Sequence, residues 1–269
     1  MTSDPFEAFK AKQRESWKSF GPLAMNSTPA AAHLVGFAGV RPGQKVLDVG
    51  CGTGVVAITA RRAGAAVTGL DLTPELLAIA KENSVIADVV DIVWKEGDAE
   101  NLPFRDGEFD MVLSQFAHIF APRPEIAIRE MLRVLKTGGG IAFSTWPPEL
   151  FTGRMFALVA RYLPPPPDPK PAPPAQWGDP NIVLQRLGNA VRDVTFDRET
   201  LFSPALSPQH HRHVIEQSAG PVIRVVQALK DDPARLAEFR REYDELASQY
   251  FDRNVVRSDF LMTRATKAF

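Results

Sequence analysis

The sequence predicts an α/β fold built on a doubly wound, mainly parallel sheet. Between residues 44 and 146, short apolar strand patterns alternate with amphipathic helix patterns. Such alternation is typical of parallel strands joined by crossover helices. The first strand pattern runs into three glycines spaced two residues apart, in the sequence VLDVGCGTG over 46–54. Because strands of an open parallel sheet end at a ligand crevice, this turn predicts a binding site.

The elements of this core follow one another in a regular order. Strands are predicted in KVLDVG, AAVTGLD, DIVWKEGD, FDMVLSQ and IAFSTW, and helices in VVAITARRAGA, TPELLAIAKENSVIA and RPEIAIREMLRVLK. Thr73 is the expected N-cap of the second helix, and Pro74 takes its first position. The glycines at 138–140 are expected to end the third helix, since glycine disfavours helix interiors.

Apolar side chains recur at three- and four-residue steps before this core, which predicts one face of a helix. The stretch 162–179 is so rich in proline that helix and central strand are excluded and an extended polyproline II path is favoured. It is expected to be a connector, with a docking peptide as the alternative. Later segments alternate between strand and helix patterns. The expected units are N-terminal lid helices over 1–35, a core over 36–204, a helical cap insertion over 205–250 and a final strand over 251–269.

Composition excludes several classes of protein. The 269 residues contain 31 Lys plus Arg against 32 Asp plus Glu, so no net charge favours nucleic acid or anionic lipid. Cys51 is the only cysteine, which excludes an internal disulfide and favours a reducing, cytoplasmic location. Neither a secretory signal nor an apolar run of membrane-spanning length is recognised. We therefore expect a cytoplasmic protein with no nucleic-acid partner and no stable membrane insertion.

The glycine turn departs from two common phosphate-binding motifs. A dinucleotide site requires G-x-G-x-x-G, but here the third glycine comes one place early and Val55 takes the sixth position. A phosphate-binding P-loop requires Gly-Lys followed by Ser or Thr, which is absent from this turn. The turn therefore indicates a polar ligand of another kind.

The motifs together resemble those of the class I S-adenosylmethionine-dependent methyltransferases. VLDVGCGTG matches the family's first motif, D/E-x-G-x-G-x-G after an apolar strand. VTGLDLTPELL is similar to its second strand and EGDAENLPF to its adenine-contacting motif. FDMVLSQFAHIF and REMLRVLKTGGGIAFSTW are similar to its fourth and fifth strands. The resemblance covers about residues 40–147. QRESWKSFG and the cap are similar to the small-molecule branch near the ubiquinone and menaquinone biosynthesis enzymes.

This resemblance implies a Rossmann-like sheet of seven strands, mostly parallel, with the last strand antiparallel. It implies an enzyme that moves a methyl group from S-adenosylmethionine to a small molecule and releases S-adenosylhomocysteine. The lid helix and the cap would roof the site. Methyl transfer is an in-line displacement, so positioning is the main requirement, and a general base is needed only if the acceptor must lose a proton.

The resemblance also assigns residues to the methionine and ribose parts of the cofactor. Gly50, Gly52 and Gly54 would pass beneath the methionine moiety. Asp48 would help to hold its ammonium group, with capping of local N–H groups as the alternative. Asp71, at the end of the second strand, would accept both ribose hydroxyls, with a helix N-terminal charge as the alternative.

The adenine and acceptor sides of the site have further candidates. Leu72 would pack on the adenine ring, Asp98 would accept from its amino group, and the Ala99 N–H would donate to it. Gln115 follows the fourth strand and would lie at the mouth, beside the cofactor and the acceptor.

Three residues are candidates to face the substrate. His118, just beyond Gln115, is a candidate general base because an imidazole titrates near neutral pH; a structural hydrogen bond is the alternative. Gln13 interrupts the apolar stripe of the first helix and Trp17 lies one turn later, so both would face the site if that helix covers it. An exposed edge position for Gln13 and core packing for Trp17 are the alternatives.

No metal site is expected. His210, His211 and His213 do not share one helix face and have no cysteine or carboxylate partner at ligand spacing. His211 and His213 are instead candidate substrate contacts from the cap.

Two other functions are alternatives to methyl transfer: a methyltransferase-like binding protein without turnover and a nicotinamide-dependent oxidoreductase. A nucleic-acid methyltransferase is disfavoured, because SQFA stands where such enzymes have N/D-P-P-Y/F. The identity of the acceptor, its receiving atom and the oligomeric state are left open.

Overall fold

The computed structural model describes residues 4–166 and 168–269. Residues 1–3 of the expected lid and Pro167 of the expected connector lie outside this range. The described residues form these α-helices: α1 Glu7–Trp17, α2 Gly21–Ala24, α3 Thr28–Ala38, α4 Val55–Arg62, α5 Pro74–Ile86, α6 Pro124–Val134, α7 Phe151–Tyr162, α8 Pro180–Leu187, α9 Pro208–Ser218, α10 Gly220–Ala228 and α11 Pro233–Ser248. The strands are β1 Lys45–Val49, β2 Ala66–Asp71, β3 Ile92–Glu96, β4 Phe109–Gln115, β5 Leu135–Thr145, β6 Val191–Pro204, β7 Phe251–Asp252 and β8 Val255–Lys267.

The strands form one sheet in the order β3-β2-β1-β4-β5-β8-β6. The pairs among β1 to β5 are parallel, whereas β8 runs antiparallel to both β5 and β6. This confirms the predicted α/β class, the mostly parallel sheet and the antiparallel last strand. An eighth strand, β7, has only two residues and pairs with β8 alone, and the sequence pattern did not predict it.

Helices cover both faces of the sheet, because neighbouring strand residues point to opposite sides. Val46 packs in a cluster with residues of α3 and α4. The next residue, Leu47, packs in the opposite cluster with residues of α6 and α8. Met111 and Val112 divide between the same two clusters in β4. The sheet is therefore doubly wound and its central strands are buried on both faces.

One predicted boundary is wrong. The third core helix, α6, ends at Val134, and the glycines at 138–140 lie inside β5 rather than at a helix terminus. Two close approaches favour glycine there: an added Cβ at Gly140 would lie 2.6 Å from Met111 Cε, and one at Gly139 would lie 2.8 Å from a Leu135 methyl. Gly138 has φ +75°, which also favours glycine.

Helices α9, α10 and α11, which follow β6 and precede β7 in the sequence, form a layer separate from the sheet. Their apolar faces pack against α7 in a cluster that includes Val222, Val225, Phe239 and Tyr243, all fully buried. This layer also meets the N-terminal helix, since a Cβ added at Gly220 would lie 3.1 Å from Ser16 Cβ. The cap and α1 therefore touch each other beyond the sheet.

The proline-rich stretch has no helix or strand over 164–166 and 168–173. Further along the same stretch, Trp177 lies in the core, where its side chain is 1% exposed and packs beside Phe143. This part of the chain is thus anchored by a large buried aromatic ring. No helix in the described residues has the length and apolar character needed to cross a bilayer.

Candidate functional site

A cavity of about 290 Å³ lies where β1, β2 and β4 end. Its floor comes from the turns after these three strands, and its roof comes from α1, α7 and the cap helices α9 and α10. Parallel strands bring their carboxyl ends to one edge of the sheet, so residues far apart in the sequence meet there. Apart from Gly54 and the cap residue His213, the predicted site residues line this cavity.

The three glycines of the turn after β1 all have positive φ, but they serve different purposes. A Cβ added at Gly50 would lie 2.2 Å from Ala117 Cβ, and one at Gly54 would lie 2.8 Å from the Trp94 ring. Only Gly52 has open space, with no atom within 4 Å of an added Cβ. Gly54 is not among the residues that line the cavity, and its lack of a side chain leaves room for Trp94 and Ala80. A place beneath a ligand stays a prediction for this residue.

Asp71 ties the glycine turn to the start of α5. Its Oδ2 accepts the N–H of Gly52 at 2.8 Å and its Oδ1 accepts the N–H of Thr73 at 2.8 Å. Burial raises the pKa of this carboxyl, although its hydrogen bonds from backbone N–H groups act in the opposite direction. The residue thus holds a helix N-terminus and lines the cavity at once, so the two predicted roles do not exclude each other.

Asp48 is a buried acid without a partner. It is 1% exposed, and neither carboxylate oxygen has a hydrogen bond of normal length and angle among the described residues. Burial raises its pKa to about 8, a weak contact from the Ala57 backbone N–H acts in the opposite direction, and the nearby charge of Asp71 raises the pKa further. An unpaired buried acceptor is costly, so this group is suited to a ligand that brings a cationic donor.

The adenine-motif residue Asp98 is held by a lysine that sequence analysis missed. Its Oδ2 accepts from Lys10 Nζ at 2.6 Å, and its Oδ1 accepts the N–H of Glu100 at 2.9 Å. Lys10 also lies 2.7 Å from carboxylate oxygens of both Asp4 and Glu100. Burial disfavours the ammonium ion, but the three carboxylates outweigh it and raise the pKa of Lys10. The ammonium group therefore occupies the centre of this acidic trio.

A second contact, made by Arg14, holds α1 over the same side of the cavity. Arg14 Nε donates to the carbonyl oxygen of Leu72 at 2.9 Å. Leu72 and Ala99 line the cavity beside Asp98. The sequence contains a signal for these contacts: two basic residues of α1, Lys10 and Arg14, are four positions apart and so lie on one helix face.

The end of β4 carries strain and an unpaired oxygen. Gln115 Nε2 donates to the Ser27 carbonyl at 3.1 Å, while its Oε1 is buried without a partner among the described residues. Phe116 has φ +57°, which is unfavourable for an aromatic residue, and its ring stacks on Trp146 at 3.9 Å. Phe116 and Trp146 line the cavity, and sequence analysis identified neither.

His118 borders the cavity, but it is almost completely buried, at 1% exposed. Its side chain is packed into the core, with ring centroids 4.7 Å from both Phe143 and Trp177. Neither ring nitrogen has a hydrogen-bond partner among the described residues, and burial lowers the pKa of the imidazole to about 3. An enclosed, weakly basic ring cannot readily exchange protons with a ligand. This geometry argues against the predicted general-base role.

Gln13 and Trp17 meet the opposite wall of the cavity. Gln13 Nε2 donates to the Phe120 carbonyl at 3.0 Å, and the Trp17 ring contacts the Phe120 ring edge to face at 4.8 Å. Gln13 is buried, so the exposed-edge alternative for it is wrong. This end of the cavity is mainly apolar, with the further lining residues Phe20, Phe151, Met155, Phe156 and Ile215.

The three cap histidines do not converge. His210 and His213 are exposed, and their rings bond to the neighbouring Leu206 N–H and Gln217 side chain. His211 is 4% exposed, lines the cavity, and has Nδ1 at 3.1 Å from the Tyr243 hydroxyl. The cap therefore contributes one histidine to the site.

Comparisons with known proteins identify relatives of this chain. The family described as "Methyltransferase domain" matches residues 47–143. The uncharacterized protein Rv1403c of Mycobacterium tuberculosis is 35% identical over 240 residues, covering 89% of this chain and 87% of that protein. The demethylmenaquinone methyltransferase of Staphylococcus aureus is 39% identical over 132 residues, which are 47% of this chain and 54% of that enzyme.

A solved structure is similar over most of the chain. The putative methyltransferase from Bacillus halodurans C-125 superposes with a TM-score of 0.60 at 20% identity, covering 89% of this chain and 99% of that one. At that identity the similarity concerns the fold alone.

Proposed function

We propose, from the premise that this chain belongs to the class I S-adenosylmethionine-dependent methyltransferase family, that it methylates a small and largely apolar molecule. The family and its cofactor class rest on the matched domain and the relatives. The acceptor class and the role of each residue are parts of the proposal.

The observation that carries the proposal is the unpaired Asp48 carboxylate beside the open face of Gly52. S-adenosylmethionine brings an ammonium group, which would supply the donor that Asp48 lacks. Only at Gly52 does the turn leave space for a ligand to approach the backbone. The residues present therefore fit the cofactor at the end where its amino-acid portion would lie.

The remaining cofactor contacts follow from the same edge of the sheet. Each Asp71 oxygen accepts one backbone N–H and retains capacity for a ribose hydroxyl. Asp98 would accept from the adenine amino group while Lys10 fixes its orientation. The Ala99 N–H would donate to the adenine ring, and Leu72 would cover one of its faces.

Bound S-adenosylmethionine would supply a methyl group that is already electrophilic. The work left to the chain is to orient the acceptor and to exclude water. The aromatic residues around Trp17 and Phe120 provide such an environment. Gln115 Oε1, buried and unpaired, would accept a hydrogen bond from the cofactor or the acceptor. With His118 enclosed, positioning carries most of the mechanism.

A binding protein without turnover is the alternative. The relative that is 39% identical over 132 residues is a demethylmenaquinone methyltransferase, which favours turnover on an apolar ring compound. A small-molecule acceptor, the absence of a nucleic-acid partner and a cytoplasmic location stay predictions. Incubating the protein with methyl-labelled S-adenosylmethionine and a metabolite extract distinguishes the two functions, because only an enzyme transfers the label.

Calorimetry with S-adenosylhomocysteine, which retains the ammonium group, tests the cofactor site. Burial raises the pKa of Asp48 to about 8, so the group is mostly protonated near pH 7, and pairing with an ammonium should release a proton. Titrations in buffers of different ionisation enthalpy measure that proton. Asp48→Asn should lose the proton release and weaken binding, while Asp231→Asn, at an exposed position, serves as the control. Binding without proton release in the parent protein would contradict the assignment of Asp48.

A further inference from the structure

A buried polar pair interrupts the apolar end of the cavity. His211 of α9 and Tyr243 of α11 are joined by the contact between Nδ1 and the phenolic oxygen at 3.1 Å. Their rings are nearly parallel, at 24°, and Phe151 meets the His211 ring edge to face at 5.6 Å. His211 and Phe151 line the cavity, whereas Tyr243 lies fully buried behind them. The pair thus presents one imidazole to an otherwise aromatic wall.

The hydrogen bonds determine which imidazole nitrogen carries the proton. The Tyr243 hydroxyl has no other hydrogen-bond partner among the described residues, and burial raises its pKa, so it keeps its proton and donates to Nδ1. Burial lowers the pKa of His211 to about 4, so the ring is neutral near pH 7. A neutral ring that accepts at Nδ1 must carry its hydrogen on Nε2. Nε2 therefore offers an N–H donor, which has no hydrogen-bond partner within residues 4–166 and 168–269.

The charged groups near this pair are already satisfied by one another. On α9, Arg212 binds Asp244 at 2.9 Å and Glu216 at 2.9 Å, and Arg240 of α11 binds Glu216 at 2.8 Å. These side chains pair along the contact between α9 and α11, and none of them lines the cavity. A ligand at His211 would therefore meet one neutral donor rather than an ionic site.

We propose that His211 recognises the methyl acceptor by donating its Nε2–H to an oxygen atom of a ring-containing, apolar molecule, either a ring carbonyl or an ionised ring hydroxyl. The inference rests on the proposed function and identifies its substrate class. The cavity that His211 lines fits flat rings, since Trp17, Phe120 and Phe156 in its wall form a continuous series with centroid distances of 4.8 and 5.8 Å. In this setting a single donor distinguishes molecules that carry a suitably placed oxygen from hydrocarbons that do not, because an unpaired polar group is costly.

A matched pair of probes tests the inference without knowledge of the natural substrate. 1-Tetralone is a bicyclic ketone, and tetralin is the same bicycle without the oxygen. Trp17 and Trp146 line the cavity, so tryptophan fluorescence reports binding of either probe. The parent protein should bind 1-tetralone about fivefold to a hundredfold more tightly than tetralin. Equal affinities, or no binding of 1-tetralone, would overturn the proposal.

Three variants assign that preference to His211. His211→Phe together with Tyr243→Phe removes both polar groups and leaves no buried hydroxyl without a partner; it should abolish the preference and leave tetralin binding unchanged. His211→Gln retains an N–H donor and should keep part of the preference. Tyr243→Phe alone removes the donor that keeps the His211 hydrogen on Nε2. It should therefore reduce the preference for the ketone. A double variant that is folded, by its thermal unfolding transition, and still prefers the ketone would show that another group makes the contact.

The test of His211 can fail or succeed independently of the test of the proposed methyltransferase function. S-adenosylhomocysteine binding is measured on the same variants by calorimetry and should not change, because His211 belongs to the cap rather than to the residues assigned to the cofactor. Loss of ketone preference with intact cofactor binding supports the assignment of His211. Absence of cofactor binding in the parent protein, with the ketone preference present, would contradict the methyltransferase proposal alone.

Discussion

The N–H of Gly52 donates to the Oδ2 atom of Asp71 across 2.8 Å, joining the ends of β1 and β2. The two residues are therefore one structural unit: the carboxylate fixes the turn whose open face would receive the cofactor. Any change at either residue acts on both the turn and the ligand.

Replacing Asp71 should weaken cofactor binding and also loosen the turn. Asp71→Ala removes the ribose contacts, at a cost of roughly 2–3 kcal/mol, so affinity should fall about 30- to 150-fold. It also leaves the N–H groups of Gly52 and Thr73 without their acceptor, which should lower the melting temperature. Calorimetry with S-adenosylhomocysteine and thermal unfolding measure the two effects. Asp71→Asn, which keeps one acceptor oxygen, should lie between parent and alanine variant; unchanged affinity in Asp71→Ala would remove Asp71 from the site.

Substitutions at two glycines of the same turn should have opposite signatures. Gly52→Val should fold, with about 1–2 kcal/mol of backbone strain from its φ of +53°, yet lose cofactor binding because its side chain enters the ligand's space. Gly54→Ala places a methyl 2.8 Å from Trp94 and should mainly reduce stability. Urea unfolding and cofactor titration of both variants give the comparison. Near-normal affinity in a folded Gly52→Val protein would show that no ligand approaches that face.

His118 should affect acid stability more than turnover. Its pKa is about 3 in the folded protein and near 6.5 when unfolded, so the unfolded state binds the extra proton between these values. Stability from this group is therefore complete above pH 6.5 and falls by about 1.4 kcal/mol per pH unit toward pH 3. His118→Leu should flatten that slope in urea unfolding at pH 4–6 and change turnover less than tenfold. A loss of 10²–10⁴-fold in turnover, with cofactor affinity intact, would restore the general-base assignment.

Lys10 should hold the lid helix closed. Lys10→Met leaves Asp98 without its cation, whereas the buried Glu100 keeps its ion pair with Arg123 at 2.6 Å. The cost should therefore be about 1–3 kcal/mol, that of a lost hydrogen bond to a charged group. The melting temperature should drop, and S-adenosylhomocysteine should dissociate faster in stopped-flow measurements. Lys12→Met, on the exposed face of the same helix, should change stability by no more than about 0.5 kcal/mol. Equal effects of the two changes would mean that the ion cluster does not secure α1.

Local patterns in the sequence were enough to predict most of the core. The alternation of strand and helix patterns predicted β1 to β5, and the positions of Asp48 and Asp71 at strand ends placed both at the cavity. These features depend on neighbours within a few residues. The predicted boundary of α6 was wrong because it depends on a distant contact. Gly140 lies in a strand, against Met111 of another strand.

The chemistry of individual side chains depended on distant partners. Lys10 reaches Asp98 across 88 positions of sequence, and His211 reaches Tyr243 across 32. His118 has a suitable place in the sequence, but Trp177 from the proline-rich stretch covers its ring. No spacing rule reports such contacts, because they arise only when separate elements pack together.

The sequence by itself determined the fold class, the glycine turn and the edge of the sheet where a ligand would bind. Hydrophobic periodicity and backbone preferences are local, and they are the same wherever the segment lies. Only the tertiary structure decided that Asp48 is unpaired, that His118 is enclosed and that His211 faces the cavity. Burial and hydrogen-bond partners set the proton affinity and accessibility of a side chain, and both are properties of the packed chain rather than of any segment.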